Sequence, residues 1–291
     1  MKLTHITALP ALAGVLLAGV SNANAHEHLA AGANSTIPGS PLIFVNAGDY
    51  ATDSGYVFGL DAGDLGSPYE GWYFTGDLVF VALAATPAYG GPEAQAAALG
   101  SHIEVVLETL SGPPGATLGF WETQQDGVDS TNLTWTVRAG LTNGTNHIVV
   151  SETDGSPSAD PYGHTHGRIY SVNQPGLYTV GFRFVDTSTN GPGGGPIQAP
   201  SDRFYLYLQA DVTIAGISVA TNEANLTFGA PSNLPDTGTA PATNYQLEST
   251  PALGPLANWQ PAADVVVGDD HMHTISVPMT NTSAFFRLNT Y

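Results

Sequence analysis

Short runs in which apolar and polar positions alternate, or in which β-branched and aromatic residues crowd together, recur between clusters of glycine, proline, asparagine and aspartate. PLIFVN (41–46), GYVFGL (55–60), GDLVFVALA (76–84), SHIEVVLETL (101–110) and ATLGFWE (116–122) come first. NLTWTV (132–137), HIVVSE (147–152), GLYTVGFRFVD (176–186) and RFYLYLQADVTI (203–214) follow. Strands at this spacing predict an all-β chain built as an antiparallel sandwich or barrel. Within GLYTVGFRFVD the period of two assigns Tyr178, Val180, Phe182 and Phe184 to the core face, with Leu177, Thr179, Gly181, Arg183 and Val185 on the other. The one predicted helix is GPEAQAAALG (91–100), bounded by glycine at both ends. TSTNGPGGGPIQAPSD (187–202) sustains neither period and reads as a long hairpin loop between two strong strands.

The pattern changes after Ile214. GISVA, ANLTFG, NYQLEST, NWQPAADVVV, HTISVPM and AFFRLN flank the loop GAPSNLPDTGTAPATN (229–244) and predict a smaller β-module, near the lower size limit for an independent core. At the other end, Lys2, the apolar stretch Ile6–Val20 and the small-x-small triplet Ala23-Asn24-Ala25 have the form of a secretory signal. The apolar stretch is short and broken by Pro10, which argues against a membrane span. The expected organisation is a signal peptide (1–25), a β-sandwich domain (26–213) and a C-terminal β-module (214–291), in an exported protein that is periplasmic, cell-surface or extracellular. LPDTG (234–238) matches a sortase signal, but the apolar segment and basic tail such a signal needs do not follow it.

Charge and composition narrow the classes of function. The only lysine lies in the leader, leaving five arginines against 25 acidic residues. That balance excludes a nucleic-acid or anionic-membrane footprint, because both need clustered cations. There is no cysteine, so disulfides, thiolate metal sites and cysteine nucleophiles are excluded, and stability must come from burial. No nucleophile elbow and no phosphate-cradling glycine loop is present.

The nine histidines are unevenly spread. His26 and His28 open the chain beyond the leader, His102 and His147 start strands, His164 and His166 sit in DPYGHTHGRIY, and His271 and His273 form a third His-x-His. On a strand, residues i and i+2 point the same way roughly 6.5–7 Å apart, so two imidazoles can converge on one ion. Two such pairs, or one pair with His102, would supply three or four nitrogen ligands. Without cysteine the natural ions are Zn²⁺ or Cu²⁺. The candidate ligands are therefore His28, His102, His164 and His166, with His26 optional. They would act as neutral donors, so affinity is expected to fall below about pH 6. The competing readings are ordinary ones: chance polar pairs in loops, a mobile N-terminus, a strand-edge His147, and a solvated hairpin turn for His271-Met-His273. Glu104, Glu108 and His102 read as the wet face of one strand. Phe120-Trp121, Trp72-Tyr73 and Trp135 could stack on a sugar, although in sandwiches such aromatics more often fill the core.

Two stretches carry family resemblances. GHTHGRIYSVNQPGLYTVGFRF (163–184) resembles the actinobacterial surface-anchored protein domain, in which a Gly-His-x-His segment leads into a Pro-Gly-x-Tyr strand. HEHLAAG corresponds through His28 to the short His-containing strand that opens that family. The resemblance implies an extracellular protein linked to metal uptake. The Pro-Gly-x-Tyr part is shared by many immunoglobulin-like modules, PKD domains among them, and the fold expected for 26–213 is accordingly an immunoglobulin-like antiparallel β-sandwich, followed by the smaller β-module. NYQLESTPALGPLANWQPAADVVV with AFFRL (244–288) resembles the C-terminal β-module of large secreted proteins of Verrucomicrobia-type bacteria, which implies an accessory or display role. The leading expectation is thus a non-catalytic envelope or extracellular protein with a histidine-rich Zn²⁺ or Cu²⁺ site. Two alternatives stand beside it. One is a copper histidine-brace protein using His26 and His102, either an oxidase resembling lytic polysaccharide monooxygenases or a CopC-like carrier, although the Asp-His expected after the PGLYTVGFRFVD strand reads DTST here. The other is a structural or carbohydrate-adhesion surface module without metal, whose partner would be a cell surface or polysaccharide.

Overall fold

The computed structural model describes residues 27–122, 132–232, 243–279 and 284–291; His26 and LPDTG lie outside the described residues. Every run picked out by alternation carries a strand. In chain order the first unit has β1 (Glu27–Ala33), β2 (Leu42–Phe44), β3 (Val57–Ala62), β4 (Tyr73–Thr75), β5 (Leu78–Ala82), β6 (Ile103–Ser111), β7 (Thr117–Glu122), β8 (Asn132–Arg138), β9 (Asn146–Val149), β10 (Gly163–His164), β11 (Ile169–Val172), β12 (Gly176–Asp186) and β13 (Phe204–Ala210). A four-stranded sheet in the order β10-β5-β1-β2 faces a nine-stranded one in the order β8-β7-β11-β4-β3-β13-β12-β6-β9. Pairing is antiparallel except for β1 with β5 and β3 with β13.

The two sheets share one core. Leu29, Leu78 and Phe80 come from the smaller sheet, and Phe120, Tyr170, Tyr178, Val180, Phe182, Phe184 and Leu206 from the larger; all are fully buried. The core face assigned to β12 is the observed one. Burial of each such side chain stabilises by about 1.5–3 kcal/mol before entropy is counted, so the interface between the sheets dominates the fold. The Pro-Gly-x-Tyr motif forms a tyrosine corner: the Tyr178 hydroxyl donates to the carbonyl of Gln174 at 2.8 Å. Burial pushes that phenol up to about 12.

The predicted helix at 91–100 does not form. Eight residues between Gly91 and Gly100 offer too few intrahelical bonds to offset nucleation, and Gln95 adopts φ 67°, outside the helical region. The irregular backbone serves the sheet instead. The Ala33 amide donates to Gln95 O at 2.7 Å, the Ala84 amide donates to Glu93 Oε1 at 2.9 Å, and Ala96, Ala97 and Ala98 are buried.

The loop at 187–202 joins the paired strands β12 and β13, as its composition predicts. One buried carboxylate organises it. Asp186 Oδ1 accepts the amides of His102 and Ser188, both at 2.9 Å. Its Oδ2 accepts those of Ile197 and Gln198, also at 2.9 Å.

The second unit has β14 (Gly216–Ala220), β15 (Glu223–Ala230), β16 (Asn244–Thr250), β17 (Gln260–Pro261), β18 (Val266–Val267), β19 (His271–Pro278) and β20 (Phe285–Thr290). β14, β15 and β19 form one sheet, while β16 pairs with β17, β18 and β20. Leu226, Phe228, Tyr245 and Leu247 fill small cores of its own. His271 and His273, expected in a solvated turn, instead begin β19. There the Val57 amide donates to Asp270 O at 2.7 Å and the Met272 amide to Gly55 O at 2.8 Å, so the join to the first unit draws this segment into extended structure.

Asp186→Asn replaces one acceptor oxygen with an amide that faces two N–H donors. Urea unfolding should show a loss on the order of 2–4 kcal/mol, with faster proteolysis inside 187–202.

Candidate metal centre

Strand β5 acts as a ruler for three histidines. β1 runs parallel to it on one side, with His28 level with Val79. β10 runs antiparallel on the other, with His164 level with Val81. Positions 79 and 81 share a face, so His28 and His164 do too. Between His164 and His166, Thr165 turns the opposite way and is fully buried. Its amide donates to Phe80 O and its hydroxyl accepts the Phe80 amide, both at 2.9 Å. The flanking glycines each have a reason. A Cβ on Gly163 would run into the Val150 carbonyl and the Ser151–Glu152 backbone, and Gly167 takes φ 73°, a left-handed turn.

The result brings His28, His164 and His166 together. His28 Nε2 lies 3.4 Å from His166 Nε2, with the rings edge-to-face at 5.5 Å. The His164 and His166 rings meet edge-on at 4.4 Å. His164 Nδ1 lies 2.8 Å from Glu152 Oε1; the contact is a close ion-pair approach rather than an aligned hydrogen bond. The strand under His28 is clamped by Asn46, whose Nδ2 donates to His28 O at 2.8 Å and whose Oδ1 accepts the Ala30 amide at 2.9 Å. Burial first, and then the charges of Glu152 and Glu93, push the neighbouring Tyr162 phenol above its ordinary range. The local field is therefore negative and favours a cation.

Two nitrogens held 3.4 Å apart match neighbouring ligands on a tetrahedral ion, since nitrogens at about 2.0–2.1 Å from zinc sit roughly 3.3–3.4 Å from one another. With Glu152 beside Nδ1, Nε2 is the nitrogen of His164 that would ligate, and alignment of the Nδ1–Glu152 contact would give the carboxylate–histidine arrangement common behind metal ligands. Among the described residues, no group of three or more histidine or carboxylate side chains is already arranged to hold one ion.

His102 keeps different company. Its Nε2 is 3.9 Å from Glu104 Oε1, while Glu104 Oε2 is 2.6 Å from His147 Nδ1. His147 lies on β9, the edge of the large sheet, and Thr187 also donates to Glu104 at 3.0 Å. His273 Nε2 pairs with Asp269 at 2.9 Å in the second unit. Phe120 and Trp121 are buried and Trp135 stacks on Phe120, so these aromatics serve the core. Sequence reasoning missed Glu152 and Asn46. Neither stands at a spacing from a histidine that would single it out, because each reaches the cluster from a connecting segment placed by tertiary contacts, Asn46 just after β2 and Glu152 beyond β9, where its amide donates to Tyr162 O at 2.9 Å. No protein-family model matches the chain, and no curated protein matches it.

The approach to the Gly-His-Thr-His segment is tied by Asp160, whose Oδ1 accepts the amides of Ala85 at 3.0 Å and Tyr162 at 2.9 Å. Burial would raise its carboxyl, but bonds from Thr86, Ala85 and Tyr162 outweigh that and hold it below 3.8. A lowered folded value adds stability above the ordinary pKa, and that stability is lost as pH falls through the lowered one. Asp160→Ala should cost about 2 kcal/mol at neutral pH. The gap to the native chain, read by urea unfolding across pH, should close as the medium falls below 3.8.

Proposed function

We propose that this chain is exported and works in the cell envelope or outside it as a non-catalytic β-sandwich protein that binds Zn²⁺ or Cu²⁺ through His28, His164 and His166. The observation that carries the reading is the 3.4 Å approach of two imidazole nitrogens separated by 138 positions in sequence. His28 and His166 are the primary ligands. His164 joins them by rotation about its side-chain bonds, with Glu152 behind it. The acidic chain and the leader-like residues 1–25 support a place outside the cytoplasm, and the resemblance of 163–184 to a surface-anchored domain supports a metal role. The brace alternative needs His26 together with His102, and His102 is engaged with Glu104.

The test is metal titration of protein purified without a histidine tag, by calorimetry and elemental analysis. The native chain should bind one equivalent. His28→Ala and His166→Ala should each weaken binding by about a hundredfold, and Glu152→Gln by about tenfold. Binding should weaken with falling pH, because protons compete for the same nitrogens. Equal metal content in the native chain and a His28→Ala/His166→Ala variant would overturn the proposal.

A further inference from the structure

The outer face of the large sheet carries a second feature, remote in sequence from the histidine pair. Tyr205 on β13 is level with Gly181 on β12, and Gly181 with Thr109 on β6. A Cβ at Gly181 would meet Tyr205 Cε1 at 3.0 Å, so the missing side chain lets the tyrosine ring settle against the neighbouring strand. The ring nonetheless leaves Tyr205 38% exposed. Arg203 lies within hydrogen-bonding reach of the phenol and is itself fixed by Glu108, with Arg203 Nε donating to Glu108 Oε2 at 2.6 Å. Beside the ring runs a groove of about 530 Å³, lined by the hydroxyl-bearing residues Thr109, Ser111, Thr142 and Thr179 and by the apolar Leu141 and Pro114. Its wall at 139–141 is preformed: the Gly140 amide donates to Leu110 O at 2.8 Å and the Leu110 amide to Leu141 O at 3.1 Å.

We propose that this groove binds a neutral saccharide, with a pyranose ring stacked on Tyr205 and its hydroxyls bonded to the threonine and serine row. The lining limits the ligand's chemistry. None of its described residues is charged, although the chain's formal charge is −19. Arg203, at the edge beside Tyr205, is already held by Glu108, so an anionic glycan would have to compete with that carboxylate and would be repelled at longer range. The floor is made by β6, β12 and β13, interior strands whose backbone groups already pair with neighbours, so an extended peptide finds no free ladder to join. What remains is one aromatic face and a row of hydroxyls that both donate and accept. That set complements a molecule with an apolar C–H face and a rim of hydroxyls, and the volume suits one to three sugar rings.

The test is calorimetry in the presence of EDTA with hexamers of neutral sugars: cellohexaose, xylohexaose, mannohexaose, maltohexaose and chitohexaose in its N-acetylated form. At least one should bind with Kd near 1 mM or tighter. Tyr205→Ala should weaken it about five- to tenfold, Tyr205→Phe should keep affinity within about threefold because the ring remains, and Thr109→Val/Thr179→Val should weaken it without lowering Tm. A His28→Ala/His166→Ala variant should bind sugar as the native chain does, which separates this site from the metal proposal. Failure of every hexamer to bind, binding restricted to uronic or sulfated glycans, or a folded Tyr205→Ala that binds like the native chain would overturn the inference.

Discussion

Thr165 exchanges two hydrogen bonds with the backbone of Phe80, and the position of the histidine cluster follows from them. Phe80 lies in the centre of the sandwich, its ring against Phe182 at 5.2 Å and Phe184 at 5.9 Å. Because Thr165 must face inward to reach it, His164 and His166 must face outward. β5 continues on its other side into β1, which delivers His28 to the same face. The chain entropy of closing the long segment between positions 28 and 166 is met by folding of the sandwich, not by an ion. A ligand arriving at the cluster meets backbone already ordered by the core, so only side-chain rotamers remain to be fixed.

Without disulfides, a fold with long glycine- and proline-rich connections needs other ties, and carboxylates supply them. Asp186 gathers four amides from three separate places in the chain. Asp160 ties 160–162 to the end of β5. Glu108 accepts a hydrogen bond from Arg203 Nε at 2.6 Å and lies in ion-pair contact with Arg183 Nε at 3.1 Å. Withdrawing a carboxylate from water is costly unless its lone pairs are filled. In a chain with so few cations, backbone N–H groups do most of the filling, and charge-assisted bonds of this kind are stronger than neutral ones. The acidity of the sequence is thus partly structural.

Alternation made β12 legible down to its core face, because a period of two against one buried layer leaves a single consistent register. β1 carried no such mark. Its residues Leu29, Ala30, Ala31, Gly32 and Ala33 include no β-branched side chain, and a Cβ at Gly32 would sit 2.5 Å from Gln95 O. Small residues are there because other backbone lies close, a tertiary reason that periodicity cannot reveal. The segment at 91–100 misled in the complementary way. Its alanines favour a helix locally, yet they are buried against the sheet in an irregular path. The Gly-His-Thr-His-Gly segment was legible as chemistry, since both glycines are required by the backbone. Its partners were less so: His28 was picked out as another histidine near the chain start, while Glu152 and Asn46 come from connecting segments that only the folded sheets bring alongside.

The histidine cluster and the hydroxyl-lined groove belong to opposite sheets of one sandwich, and their side chains point away from the shared core. Two such sites would be coupled if filling one shifted the sheets relative to each other. The layer between them argues against that. Phe80 from the smaller sheet packs among Phe182, Phe184 and Phe204 from the larger, at ring distances of 5.2, 5.9 and 6.4 Å, and a close-packed interior resists small displacements. The electrostatic route is also weak, because a cation at the histidines would act on a groove with no charged lining and a neutral occupant. The sandwich therefore allows two independent binding functions, whose free energies should add.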